Sequence, residues 1–202
     1  MEKIDFKKSL KHLYAPTAKD FVLVDVPQMW FVKVDGSGDP NTAVEYKSAV
    51  EWVFRVSYAT KFMAKATLNR DYVVPPLEAL WWADDPQEFA SGAKNHWKWT
   101  VMIMVPGFIT KPMVKKAVLK AQLQLEEPPA TLRFEPYAEG RSLQILHVGS
   151  YDDEAPTLAR LHDVVMPQGR LSLNGPHHEI YLSDPRKVIA SKLRTILRQP
   201  VR

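Results

Sequence analysis

The chain has 202 residues, of which 46% are hydrophobic and 25% charged, with a formal net charge of +4, as is typical of a globular protein. It contains no cysteine, which excludes disulfides, thiolate chemistry and cysteine-ligated metals. No apolar run approaches the roughly 20 residues of a membrane helix, and the charged start Met1–Lys8 lacks the apolar core of a secretory signal, so we expect a cytoplasmic protein and no membrane contact.

The positive charge is spread over several segments and is not concentrated at one nucleic-acid-binding surface. One group of basic residues lies between Lys187 and Arg202, and a second, Lys111–Lys120, has the spacing of a solvated helix face. No RNP, zinc-finger or basic-zipper sequence accompanies them. We therefore expect no direct binding of nucleic acid.

The first half of the chain predicts strands on either side of one long helix. Before them, Lys3–Leu13 has the pattern of a short helix that ends ahead of Pro16. Apolar alternation and turn-forming residues then predict four strands and one helix. In chain order these are Val22–Val26, Met29–Val34, the helix Ala43–Ala64, Pro76–Ala83 and Trp97–Val105.

The second half repeats this order of elements without repeating the sequence. A predicted helix over Pro112–Leu125 separates the halves. The elements after it are Leu132–Tyr137, Arg141–Gly149, a helix over Glu154–Met166, the strand that holds Glu179, and Lys192–Arg198. The chain is thus predicted to have an α+β fold made of duplicated strand–helix–strand–strand modules, whose two sheets flank one cleft.

The most informative segment is His177–Arg186, a predicted strand with an acidic residue near its centre. Period-two alternation places Glu179 and Tyr181 on one face and His178 and Ile180 on the other. A carboxylate costs several kcal/mol to dehydrate unless something compensates it. We therefore interpret Glu179 as the polar anchor of an aromatic-walled pocket, the alternative being a glutamate on the solvent face of a half-exposed strand.

Aromatic side chains are the predicted walls of this pocket. Trp97 and Trp99 share one strand face, whereas the neighbours Trp81 and Trp82 point to opposite faces and cannot both serve one core. Rings beside a carboxylate stack planar ligands and hold cations, each contact contributing roughly 0.5–2 kcal/mol. The candidate ligand-binding residues are Glu179, Tyr181, Trp82, Trp97, Trp99 and Tyr151, with a purely structural role in the core as the alternative.

Glu154 is the second candidate carboxyl group, at a predicted strand-to-helix junction. Its charge either complements the helix dipole or faces the cleft. Two carboxyl groups in one cleft can divide labour, because one stays ionised and activates water while the other, in a drier setting, holds a proton. Glu154 and Glu179 are therefore the candidate catalytic pair, either of them being the base, and Tyr151 or Tyr181 is an alternative proton donor.

The sequence predicts neither a metal site nor a cofactor site. His177 and His178 are adjacent in a strand and point to opposite faces, so they do not readily chelate one ion. Gly36-Ser37-Gly38 lacks both the lysine of a phosphate loop and a following Rossmann unit. Ser183 lacks the sharp turn that exposes a nucleophilic serine.

Three motifs resemble the GyrI-like small-molecule-binding proteins, the gyrase-inhibitor-like relatives of effector-binding domains in multidrug-responsive regulators. They are Pro76–Trp82, Gln144–Glu154 and His177–Arg186. The resemblance extends from about Val22 to the C-terminus, and it implies a pseudo-twofold, SOUL-like α+β fold whose cleft binds bulky aromatic and often cationic compounds. In such domains a glutamate on a late strand contacts the ligand, and Glu179 occupies the matching position.

The resemblance also bounds the domain organisation. Residues 1–20 are expected to form an N-terminal extension and residues 21–202 a single GyrI-like domain. About twenty residues before the first strand are too few for the DNA-binding helix-turn-helix of the regulators. A direct transcription factor is therefore not expected, and the sequence leaves a homodimer open.

Three functions follow from the resemblance. The first is a standalone protein that binds aromatic, amphipathic or cationic small molecules, as in multidrug binding. The alternative is a hydrolase in detoxification, because Leu80-Trp81-Trp82 also resembles standalone members of the family that hydrolyse cyclopropane-bearing (cyclopropanoid) DNA-alkylating natural products. An inhibitor of a macromolecular partner is the third class. The residues alone leave binding and turnover open.

Overall fold

The alternating apolar segments pair into one eight-stranded antiparallel sheet in the computed structural model, which describes residues 3–85 and 92–202. Its strands are β2 (Val22–Val26), β3 (Met29–Ser37), β5 (Leu77–Trp82), β6 (Lys98–Val105), β7 (Arg133–Tyr137), β8 (Gly140–Val148), β9 (His177–Tyr181) and β10 (Arg194–Pro200). They lie in the order β2-β8-β10-β9-β5-β6-β3-β7. β1 (Lys3–Ile4) and β4 (Asp71–Tyr72) form a separate parallel pair.

The helices are unequal in length. α1 (Phe6–Ser9) and α2 (Lys11–Tyr14) are short, whereas α3 (Val44–Leu68) and α4 (Lys111–Gln122) are long. The second half contains a continuous helical run over residues 151–168, called the second helical segment below. It begins as a 3₁₀ turn, Tyr151–Glu154, and continues through α5 (Ala155–Arg160), a π-helical turn, Leu161–Val165, and α6 (Met166–Gln168). Within the described part of the chain, no helix is both long and apolar enough to cross a membrane.

The sheet contains the duplicated unit that the element order predicted. β3, α3, β5 and β6 form the first copy, and β8, the helical segment from Tyr151, β9 and β10 form the second. β5 and β9 pair at the centre, so the halves share one continuous sheet instead of forming two sheets. The β5–β9 register is symmetric about the pair Ala79–Glu179, which places the pseudo-twofold axis at Glu179.

Each half also supplies an edge strand to the other half. β2, directly before β3 in the chain, pairs with β8, and β7, directly before β8, pairs with β3. Each half-sheet therefore takes its outer strand from the chain segment that precedes the other half. The two halves are interlocked through these edge strands as well as through the β5–β9 pair.

The larger core lies on the face covered by α3, α4 and the second helical segment. Trp52 and Val56 of α3 are fully buried there against Val101 and Ile103 of β6. Full burial of such a side chain contributes about 1.5–3 kcal/mol. This packing fixes α3 on the first half-sheet, with its N-terminal turn near the axis.

The N-terminal segment covers the opposite face of the sheet. Leu13 and Tyr14 of α2 are buried there. The Leu13 carbonyl accepts a hydrogen bond from Arg198, 2.8 Å long. The prediction of one helix over Lys3–Leu13 is wrong, because Lys3–Ile4 form β1, Asp5 caps a helix that begins at Phe6, and Leu10 leaves the helical conformation.

Candidate functional site

A cluster of acidic and aromatic side chains lies where the two halves meet, on the helix-covered face. Glu179 is central in β9, and its side chain keeps 14% exposure. Its Oε2 accepts a 2.7 Å hydrogen bond from the Tyr181 hydroxyl, which in turn accepts one from Trp81 Nε1 at 3.0 Å. The three side chains share a face because alternate strand residues point the same way. Trp81 therefore holds the Tyr181 hydroxyl in place, and this hydroxyl fixes one carboxylate oxygen of Glu179.

The first half supplies an aromatic wall to this cluster. Tyr46, in the first turn of α3, stacks on Trp81 with ring centroids 5.7 Å apart and meets Trp99 edge-on at 5.0 Å. Trp97 packs edge-on against Trp81 at 5.7 Å. Trp99 is fully buried and supports the wall from behind, whereas Trp97 is half-buried at its rim.

The second half supplies a tyrosine and a second carboxyl group from one 3₁₀ turn. Ser150 caps this turn, and its hydroxyl donates to the Asp153 carboxylate at 2.7 Å. Tyr151 is 40% exposed and packs edge-on against Tyr181, with ring centroids 5.7 Å apart. Glu154 is only 5% exposed, and its Oε1 has no hydrogen-bond partner among the residues that the structure describes.

The surroundings push the pKa values of the two carboxyl groups upward to different extents. Loss of hydration, followed by the charge of Glu179, raises the pKa of Glu154 well above its usual range. Loss of hydration also raises the pKa of Glu179, to about 7, while the hydrogen bond from Tyr181 opposes that rise. A buried carboxyl group without a donor is stable only when protonated. Glu154 therefore holds a proton at neutral pH, and Glu179 ionises first.

The structure brings most of the predicted residues together but not all of them. Those in the cluster are Glu154, Glu179, Tyr151, Tyr181, Trp97 and Trp99. Trp82 lies on the opposite face of β5, where it packs with Leu80 and Met102. The sequence predicts Trp82 in the pocket, but the β5 tryptophan on the Glu179 face is Trp81. Tyr46 was missing from the prediction, since its helical spacing indicates only a core-facing position.

The histidines do not form a chelating group. His177 lies on the cluster face, with its Nε2 3.7 Å from Glu179 Oε1. His178 points to the other face, between Glu78 at 3.0 Å and Glu139 at 2.9 Å. Among the described residues, no group of three or more histidine, aspartate or glutamate side chains is arranged to hold a metal ion.

An open surface cavity of about 330 Å³ lies at the turn that precedes Trp97. It is lined by Asp39 and by the turn over residues 92–96. The Lys94 ammonium of this turn lies 5.9 Å from the centroid of the Trp97 ring, so one lining residue of the cavity lies near the aromatic wall. A larger groove of about 640 Å³ lies beside the second helical segment, between His147 and Arg160.

Comparison with known proteins identifies relatives over nearly the whole chain. The sequence profile of the GyrI-like small molecule binding domain matches residues 19–202. No match is found among the curated proteins.

Three crystal structures from Listeria innocua are similar along their full length. An uncharacterized conserved protein is 38% identical with a TM-score of 0.90, over 99% of this chain and 100% of that one. A hydrolase is 37% identical with a TM-score of 0.84, again over 99% and 100% of the two chains. A further hydrolase is 36% identical with a TM-score of 0.85, over 100% of both chains.

Proposed function

The chain belongs to the GyrI-like family of small-molecule-binding domains, and on that premise we propose that it is a hydrolase that adds water to planar aromatic electrophiles. The observation that carries the proposal is the carboxyl pair: Glu179 held by Tyr181, and Glu154 buried without a donor. The similarity to two hydrolases, at 37% and 36% identity, supports turnover over binding alone.

The proposed substrate is a cyclopropane-bearing compound whose strained ring is conjugated to a carbonyl group. Its flat aromatic part contacts the partly exposed rings of Tyr46 and Trp97, where ring contacts contribute about 0.5–1.5 kcal/mol each beyond area burial. Such compounds alkylate DNA, so their hydrolysis is a detoxification. The family resemblance supplies this substrate class, and the aromatic cluster is consistent with it.

In the proposed reaction the two carboxyl groups act in opposite senses. Ionised Glu179 takes a proton from water as the water oxygen forms a bond to the substituted or unsubstituted ring carbon. The carbon–carbon bond of the cyclopropane breaks, and its electron pair moves through the conjugated system to the carbonyl oxygen. That oxygen takes the proton of Glu154. One water is thereby added, and proton exchange with solvent restores both carboxyl groups.

The different surroundings of the two groups support this assignment. A general base must be ionised near neutral pH, and Glu179 is the carboxyl group that receives a hydrogen bond from a hydroxyl donor. A general acid must keep its proton, and Glu154 is the drier group. General acid–base catalysis of this kind contributes about 10²–10⁴-fold to a rate.

The proposal is tested by incubating the protein with a cyclopropane-conjugated dienone and following the dienone absorbance and the product mass. We expect loss of the dienone and a product that has gained one water. Glu51→Gln, at an exposed position of α3, is the control that should hydrolyse the compound as the wild type does. If the compound quenches tryptophan fluorescence yet stays intact, the protein only binds it, and the hydrolase proposal fails.

A further inference from the structure

A lysine of the first half reaches across to the second half at the rim of the cluster. Lys94 begins the 3₁₀ turn Lys94–His96, in the connection between β5 and β6. Its ammonium lies 5.9 Å from the Trp97 ring centroid and 3.6 Å from Asp152 Oδ1, at the start of the second helical segment. The Lys94 side chain is 34% exposed, so it stays at the rim.

The position of this ammonium is the one that an organic cation would use. Proteins hold such cations over an aromatic face and beside a carboxylate. Trp97 and Asp152 offer both features, and the Lys94 ammonium already lies beside each of them. A cationic ligand would have to displace it or bind next to a like charge, which disfavours binding.

The charge of Lys94 also extends into the cluster. Among the acidic groups around it, Glu154 and Glu179 both respond to its positive charge, which lowers their pKa values. Asp39 and His96 line the same cavity as Lys94. With Glu154 protonated, the positive charge of Lys94 partly offsets the negative charges of ionised Glu179 and of Asp152.

We propose that Lys94 is a specificity-determining residue, a built-in counter-ion that makes the cleft select uncharged aromatic compounds over organic cations. The inference rests on the proposed function, because it defines the substrate class of the same site. It differs from the cationic ligands that the family resemblance implies.

The test uses two flat ligands of nearly the same shape, acridine, which is uncharged above neutral pH, and N-methylacridinium, which is a fixed cation. Affinities are measured by quenching of tryptophan fluorescence at about pH 8 and low ionic strength, where screening is weak. The wild type should bind acridine more tightly. Lys94→Gln should raise the affinity for N-methylacridinium about five- to tenfold and leave that for acridine within about twofold, the size expected for one partly screened charge.

Lys98→Gln is the matched control, because it removes the same charge from a surface pair with Asp84. Equal affinities for the cation in the Lys94 and Lys98 variants would overturn the inference, as would a wild type that prefers N-methylacridinium. The proposed function is tested separately, by the hydrolysis assay with the cyclopropane-conjugated dienone. Absence of turnover with intact discrimination between the two ligands would reject the hydrolase and leave the role of Lys94 standing.

Discussion

Ala79 of β5 and Glu179 of β9 are register partners at the point where the two halves of the sheet meet. The two positions are equivalent under the pseudo-twofold relation, yet the first half contributes a methyl group and the second a carboxyl group. Partners in this register have Cβ atoms about 4.5–5.5 Å apart, so two acids here would repel each other. A single carboxyl group therefore lies on the axis, in a cluster to which both halves contribute side chains.

Replacement of Glu154 should stabilise the fold as the pH rises. Burial raises the pKa of Glu154 above its unfolded value of 4.5, so unfolding releases a proton and the wild type loses stability above that pH. Glu154→Gln has no such proton. We expect it to gain about 1–3 kcal/mol in free energy of unfolding near pH 8 and almost nothing near pH 4.

Urea unfolding at the two pH values measures this difference. Glu51→Gln, exposed on α3, should match the wild type at both. A stability difference between the Glu154 variant and the wild type that does not change with pH would show that Glu154 is ionised in the folded protein.

The Tyr181 hydroxyl should set the acidic limb of the pH–activity profile. Its hydrogen bond lowers the pKa of Glu179, which burial raises to about 7. Activity requires ionised Glu179, so hydrolysis should rise with pH through about 7. Tyr181→Phe removes the donor and should move this limb to higher pH by about one unit. Tyr58→Phe, at an exposed site on α3, is the control and should leave the pH–activity profile unchanged. If the acidic limb of the Tyr181 variant stays at the wild-type pH, the Tyr181 hydroxyl does not set the pKa of the catalytic base.

The face opposite the cluster depends on a buried arginine. Arg198 donates to Gln144 Oε1 at 3.0 Å, to Glu139 Oε2 at 3.1 Å and to the Leu13 carbonyl at 2.8 Å. Arg198→Leu leaves a buried carboxylate short of one partner, and we expect a loss of about 3–5 kcal/mol in free energy of unfolding. Arg194→Leu, at an exposed position of the same strand, should change stability little. Equal midpoints in thermal unfolding would contradict this.

A glycine in β3 gives room to the aromatic wall. A Cβ atom on Gly36 would lie 2.2 Å from the Trp99 ring, which Tyr46 contacts on another side. Gly36→Ala should cost about 1–3 kcal/mol in stability and shift the tryptophan fluorescence spectrum. Gly107→Ala meets no atom within 4 Å and is the matched control. A Gly36 variant as stable as the Gly107 variant would mean that the packing of the Trp99 ring does not require the space left by the missing Cβ atom of Gly36.

Local periodicity predicted much of the fold and the central residue of the site. The alternation around Glu179 and Tyr181 gives the correct face for each, and the strand–helix–strand–strand order holds in both halves. These features depend on residues close in the sequence. One strand end differs from the prediction. The turn-forming residues after Val34 predict the end of the strand there, but β3 continues through Gly36 to Ser37 in its pairing with β6.

The rest depends on contacts between distant segments. Alternation indicates that Trp81 and Trp82 point to opposite faces, but only the pairing of β5 with β9 decides which of them meets Tyr181. Tyr46 joins the site because α3 packs across the sheet. The place of the N-terminal segment depends on Tyr14, which donates to the distant and buried Glu78 at 2.9 Å.

The most direct test of the account is hydrolysis of the cyclopropane-conjugated dienone by Glu179→Gln, with ligand affinity measured on the same sample. We expect kcat/KM to fall about 10²–10⁴-fold while the Kd stays within about threefold, because the amide keeps the shape of the site but cannot take a proton from water. Hydrolysis at the wild-type rate in this variant would contradict the account.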